Sequence, residues 1–183
     1  MSKKVSFGII VAASLVVGSY NATAASKAAE ISAKAHTALS SLYEKVPSTQ
    51  ALGEKARAIL VFPEITKAGF IVGGQHGNGA LFQRGKADAY YSTSGASFGL
   101  QAGAQSFGYA MFFMNDKALQ QLNKADGWEI GTGPTIVVID EGKAANLTTT
   151  TAKDDVYAFV FGQKGLMAGI NIEGSKITQI HPK

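Results

Sequence analysis

Glycine sets the first limit on what this chain can become. Gly95, Gly99 and Gly103 stand four apart within the segment from Gly95 to Met114, a spacing that would let two helices approach closely. In water, each glycine inside a helix costs about 1 kcal/mol relative to alanine. The segment therefore reads as strand, with glycines where a bend or another backbone comes close. Glycine accounts for 21 of 183 residues and cysteine for none, so a packed core rather than disulfides must hold the fold.

The surrounding apolar pattern also has strand character. Ala58-Ile-Leu-Val-Phe62 is a short apolar run stopped by Pro63 and reads as a buried strand. Gly69 to Gln75 and Ala80 to Gln83 flank His76-Gly77-Asn78-Gly79. Asn-Gly between two strand-like runs predicts a hairpin turn there, because both residues tolerate positive φ. A further turn at Arg84-Gly85-Lys86 leads into a strand from Ala87 to Ser92. Trp128 opens another β region, in which Thr135 to Ile139 is the clearest run, and Asp155 to Phe161 is apolar on both faces, as a central strand is. Gly162 to Gly165 predicts a turn into Leu166 to Ile172, and Glu173-Gly174 a turn into Ser175 to Ile180.

Helical spacing is confined to two places. Ala28, Ile31, Ala35, Leu39, Leu42 and Val46 recur at three- and four-residue steps, which predicts a helix from Ser26 to Val46 ended by Pro47. Ser48 is placed to cap a shorter helix to about Arg57, and Asn115 to cap one over Asp116 to Asn123. Regular alternation of strands and helices is missing, so a parallel sheet is not expected. The expected fold class is α+β: two N-terminal helices packed on a glycine-rich, mainly antiparallel sheet or partly closed barrel, in meander order with one short helical insertion.

The first residues follow the layout of a cleaved export signal: Lys3 and Lys4, an apolar run from Val5 to Gly18, then Ala22-Thr23-Ala24. That run is shorter than the roughly 20 residues a membrane-spanning helix needs. The expectation is a signal peptide over 1–24, one domain over 25–183, and a periplasmic or secreted product. With no cysteine to accept a lipid, anchoring in the lipoprotein manner is excluded. Removing those 24 residues, two of them lysine and none acidic, lowers the formal charge from +4 to +2, which is no nucleic-acid footprint.

Gly95-Ala96-Ser97-Phe98-Gly99, with Asp140 and His181 after it, matches the nucleophile elbow and residue order of an α/β-hydrolase, but lacks the strand–turn–helix context. His36, His76 and His181 are far apart, and the pairs Asp140-Glu141 and Asp154-Asp155 lack the spacing of a calcium loop. No catalytic residue, metal or cofactor is expected, and the chain reads as a non-enzyme. Lys55, Arg57, Lys67, Arg84 and Lys86 fall in one stretch whose only acids near them are Glu54 and Glu64. Brought together by the hairpins, those five would attract anionic head groups or another polyanion.

The run from Ala58 to Leu81, with Gly99-Leu-Gln-Ala-Gly103, Gly131-Thr-Gly-Pro134 and Gly165 to Ser175, resembles the SYLF family of lipid-binding domains, in order and spacing, across roughly residues 35 to 178. The family is related to the actin-binding domain of yeast cortical-patch proteins. The resemblance implies a non-enzymatic module: eukaryotic members bind phosphoinositide membranes and some bundle actin, whereas bacterial members are mostly exported. Where the family tends to have Trp-Ser before a proline, this chain has Tyr91-Ser92 and no proline nearby. Read together, these features predict a membrane-associated module binding anionic lipid surfaces of the cell envelope. The alternative is an envelope structural or stress protein binding another protein through its sheet.

Overall fold

The computed structural model describes residues 26–140, 153–164 and 172–183, without the side chains of 70–72, 97–103 and 140. The export signal expected over 1–24 and nearly all of the strand expected over 166–172 lie outside those residues.

Helix α1 (Lys27–Lys45) forms where the periodicity placed it, and Ser26 caps it by accepting from the Ala29 amide at 3.3 Å. Its buried stripe is Ile31, Ala35, Leu39 and Leu42. Helix α2 (Pro47–Lys55) starts differently from expectation. Val46 rather than Ser48 is its N-cap, with no side-chain hydrogen bond, and Pro47 occupies the first turn, where a missing N–H costs nothing.

Strands β1 (Ala58–Gln83) and β2 (Lys86–Phe113) form one long antiparallel hairpin, in register from Ala58 opposite Phe113 to Gln83 opposite Lys86. The chain reverses at Arg84 and Gly85, both left-handed with φ of 50° and 77°, the turn the sequence predicts. The turn expected at Asn78-Gly79 does not form. β1 passes straight through, pairing Gly77 with Thr93 and Gly79 with Tyr91, and neither glycine has a positive φ. They serve close approach instead: a Cβ on Gly77 would sit 2.6 Å from the Glu64 carbonyl, and one on Gly79 would run into the Val61 carbonyl. The second half of β1 thus curls across its first. Pro63 does not end the strand either, but sits in a bulge between Phe62 and Ile65, where no ladder donor is required.

The remaining strands are β3 (Trp128–Glu129), β4 (Ile136–Asp140), β5 (Val156–Lys164) and β6 (Lys176–Ile180). β6 lies along β2 at Tyr90–Ser94 and β5 along it at Ser106–Phe113, giving the order β3-β6-β2-β5-β4 with β1 also on β2. This replaces the meander. β4 runs parallel to β5, so the curled half-barrel is a mixed sheet. β5 also continues to Lys164, past the turn expected from Gly162. The helical insertion, α3 (Asp116–Leu119) with a following 3-10 turn, is capped by Asn115, whose Oδ1 accepts from the Ala118 amide at 2.9 Å.

Apolar stretches of β1, β2 and β5 become neighbours. Ala58, Phe113 and Val156 share one rung; Leu60, Met111 and Ala158 the next on that face; Phe62, Tyr109 and Val160 the next. Ile59, Phe112 and Tyr157, then Val61, Ala110 and Phe159, alternate onto the opposite face beneath α1 and α2. Continuous apolarity in the sequence thus becomes burial on both faces, at roughly 1.5–3 kcal/mol for each large side chain.

Candidate functional site

Stretched out, the 26 residues of β1 would span about 85 Å. Because the strand curls, its two ends instead line one cleft of about 450 Å³ beneath α1 and α2. Ile59 comes from its start and Arg57 from the residue before it, Phe82 from its end and Arg84 from the turn that follows. Helix α1 adds His36, Leu39 and Tyr43, and α2 adds Gly53 and Glu54.

Each side chain is placed by a local cause. The Arg57 amide donates to the Phe113 carbonyl at 2.7 Å, which fixes the root of its side chain. Its Nε lies 3.5 Å from an Asp116 carboxylate oxygen, with both side chains more than half exposed, so that pair holds the guanidinium only weakly. Arg84 projects from the left-handed turn. The His36 ring meets Phe82 edge-on at 6.3 Å. Tyr43 lies over Gly53, where any Cβ would collide with its hydroxyl. Burial, and then the Glu54 charge, hold the Tyr43 phenol above its ordinary value, so it stays a neutral donor. Leu39, Ile59 and Phe82 make an apolar floor. Two guanidiniums over such a floor can hold an anionic group attached to an apolar body.

Of the five basic residues read from the sequence, the fold brings Arg57 and Arg84 into this cleft. Lys55, the last residue of α2, and Lys86, the first of β2, are exposed and each two positions from an arginine in the chain, without lining the cleft. Lys67 sits opposite Gln105 on β1 and does not join them. The sequence reading missed His36, Tyr43 and Glu54. Their signal was the seven-residue spacing of His36 and Tyr43 around Leu39, which puts all three on one side of a helix.

The other patterns fall elsewhere. Gly95 to Gly99 lies within β2, opposite Gln75 to Ile71, with no turn or helix at the serine. His76 is exposed on β1, and His181 is exposed beyond β6. Asp155 ties elements together: its carboxylate accepts from Asn115 Nδ2 at 2.7 Å and from the Thr135 amide at 3.0 Å. Among the described residues, no three His, Asp or Glu side chains gather as a metal site, and no helix is long and apolar enough to cross a membrane.

Fold and cleft define a small α+β domain whose cleft carries two arginines and one glutamate around an apolar floor. Residues 94–181 match the family model described as Ysc84, Las17-binding protein actin regulator, a match consistent with the SYLF resemblance of the motifs above. The match begins after the β1–β2 turn, so every residue lining the cleft precedes it. No curated protein matches the chain.

Proposed function

We propose that this protein is an exported, non-enzymatic binding module that associates peripherally with anionic lipid surfaces of the cell envelope. The observation that carries the reading is that Arg57 and Arg84, 27 positions apart in sequence, line one apolar-floored cleft. Lys55 and Lys86 flank that cleft in the chain, and each cation near an anionic surface is worth about 1 kcal/mol. The family's association with lipid and actin binding supports a surface-binding module, and Lys3, Lys4 and the apolar run after them support export.

Sedimentation with vesicles tests it. Phosphatidylglycerol vesicles are expected to carry the protein down and phosphatidylcholine vesicles to leave it in solution, with binding lost in Arg57→Glu with Arg84→Glu and kept in Lys67→Glu. Equal binding to both vesicles, or no loss in the arginine variant, overturns the reading. The family description names a protein partner for its own members, which favours a protein-binding role as the second reading. A stoichiometric protein partner recovered from a periplasmic extract without lipid would favour that one.

A further inference from the structure

The cleft does not end at His36. A second, more open groove of about 520 Å³ shares His36 and Phe82 with it, so the two rings form a waist between two chambers. Beyond the waist the groove follows α1 toward its N-terminus, between Ala29 and Ala33 on the helix and Ala87 and Tyr90 on β2. From Ala29 to Tyr43 the helix advances about 21 Å at about 1.5 Å per residue, the length of a long unbranched acyl chain.

Charge is distributed along this path at one end only. Arg57 and Arg84 line the first chamber with one carboxylate, Glu54, which leaves it net positive; none of the three lines the second, whose walls are alanines, two aromatic rings, His36 and the hydroxyls of Ser26 and Ser32. A flat membrane would need only the cations. A shallow, mostly apolar groove that continues away from them suits a ligand with a charged head and an apolar tail.

We infer that the joined groove binds one anionic single-chain amphiphile at a time, its carboxylate or phosphate on Arg57 and Arg84 and its tail laid along α1 past Phe82 toward Ala29. This rests on the lipid reading of the same cleft and goes beyond it: the protein takes up a detached lipid as well as meeting a surface. The two arginines select the head group through charge-assisted hydrogen bonds, and the apolar groove takes the tail.

Fluorescence titration with dansyl-labelled undecanoic acid, below the concentration at which it forms micelles, tests the inference. Saturable one-to-one binding is expected. Dodecyl phosphate should displace the probe, whereas dodecanol, which lacks the charge, and inorganic phosphate, which lacks the tail, should not. Arg57→Gln with Arg84→Gln should weaken probe binding about tenfold or more, the loss of roughly 1.4 kcal/mol. Ala33 is exposed on α1, so Ala33→Trp should fill the groove without touching the core. It should weaken the probe as much, with an unchanged melting curve and unchanged sedimentation with anionic vesicles. Absence of saturable binding, or full probe affinity in Ala33→Trp, overturns the inference. Vesicle binding without probe binding removes the groove and leaves the surface reading standing, while probe binding by a protein that ignores anionic vesicles does the reverse.

Discussion

The two faces of the sheet are buried by different partners, and the cleft lies on only one of them. The face carrying Leu60, Phe62, Tyr109 and Met111 closes on the sheet's own curl, with Trp128, Leu122 and Ile177 filling it. The face carrying Ile59, Val61, Phe112 and Phe159 is covered by α1 and α2. Strand neighbours are fixed rung by rung, so the first face packs at every position. A helix laid over a curved sheet touches it along one stripe, and beside that stripe a strip stays uncovered. The same apolar runs therefore build a sealed core and an open cleft.

Equal truncations on the two faces give the largest test of that difference. Leu60 is fully buried in the sealed core, and Leu39 is 8% exposed at the cleft. Leu60→Ala leaves a closed void and should cost about 4–5 kcal/mol in urea unfolding, at the top of the usual range for such changes. Leu39→Ala opens onto the cleft, where water fills the space, and should cost about 2 kcal/mol. Equal losses would break the distinction between the faces.

Gly79→Ala should come next. Its Cβ would meet the Val61 carbonyl and lie 2.7 Å from the Phe62 ring, so backbone must move. Overpacking of this kind costs about 1–3 kcal/mol. Because the crossing is what brings the ends of β1 together, this variant should also bind anionic vesicles less well at temperatures where it is folded. Leu60→Ala, assayed the same way below its melting point, should not. A Gly79→Ala protein of parental stability would show that the crossing has slack and that something else sets the cleft.

Gly79 also marks where the sequence stopped being readable. Periodicity and Pro47 located α1, continuous apolar runs located the parts of β1 and β5 that are buried on both faces, and the cost of glycine in a helix marked Gly95 to Met114 as strand, because those signals are local. The turn at Arg84-Gly85 was legible for the same reason. Asn78-Gly79 was not: a glycine needed for positive φ and a glycine needed for close approach look alike until the approaching backbone, Val61 to Ile65, is known. The basic stretch was legible as composition, yet which cations meet depended on that same curl. It selected Arg57 and Arg84 and left Lys67 apart. The parallel pairing of β4 with β5 likewise depends on strand order, which no local pattern encodes.

The pH dependence of stability should separate the sealed core from its rim. Tyr109 is fully buried, donates to Thr93 Oγ1 at 3.1 Å, and has its phenol pushed up by burial. A folded value above the unfolded one, near 10, means that its contribution is whole below pH 10 and is lost as pH rises beyond it, by about 1.4 kcal/mol per unit. Tyr109→Phe should lose about 1 kcal/mol at neutral pH with the hydrogen bond and decline less steeply in alkali. Asp155 is the opposite case at the rim between α3 and β5. Hydrogen bonds from Asn115 and then from the Thr135 amide hold its carboxyl below the usual value. Its contribution is present above the unfolded value, near 4, and is lost as pH falls below it. Solvent lies against that carboxylate, so the acid arm should be the shallower one, and Asp155→Asn should flatten it further without altering the alkaline arm. Urea midpoints measured from pH 3 to 11 check both slopes, and a steeper acid than alkaline arm in the parent protein would mean that the rim, and not the sealed face, governs its unfolding.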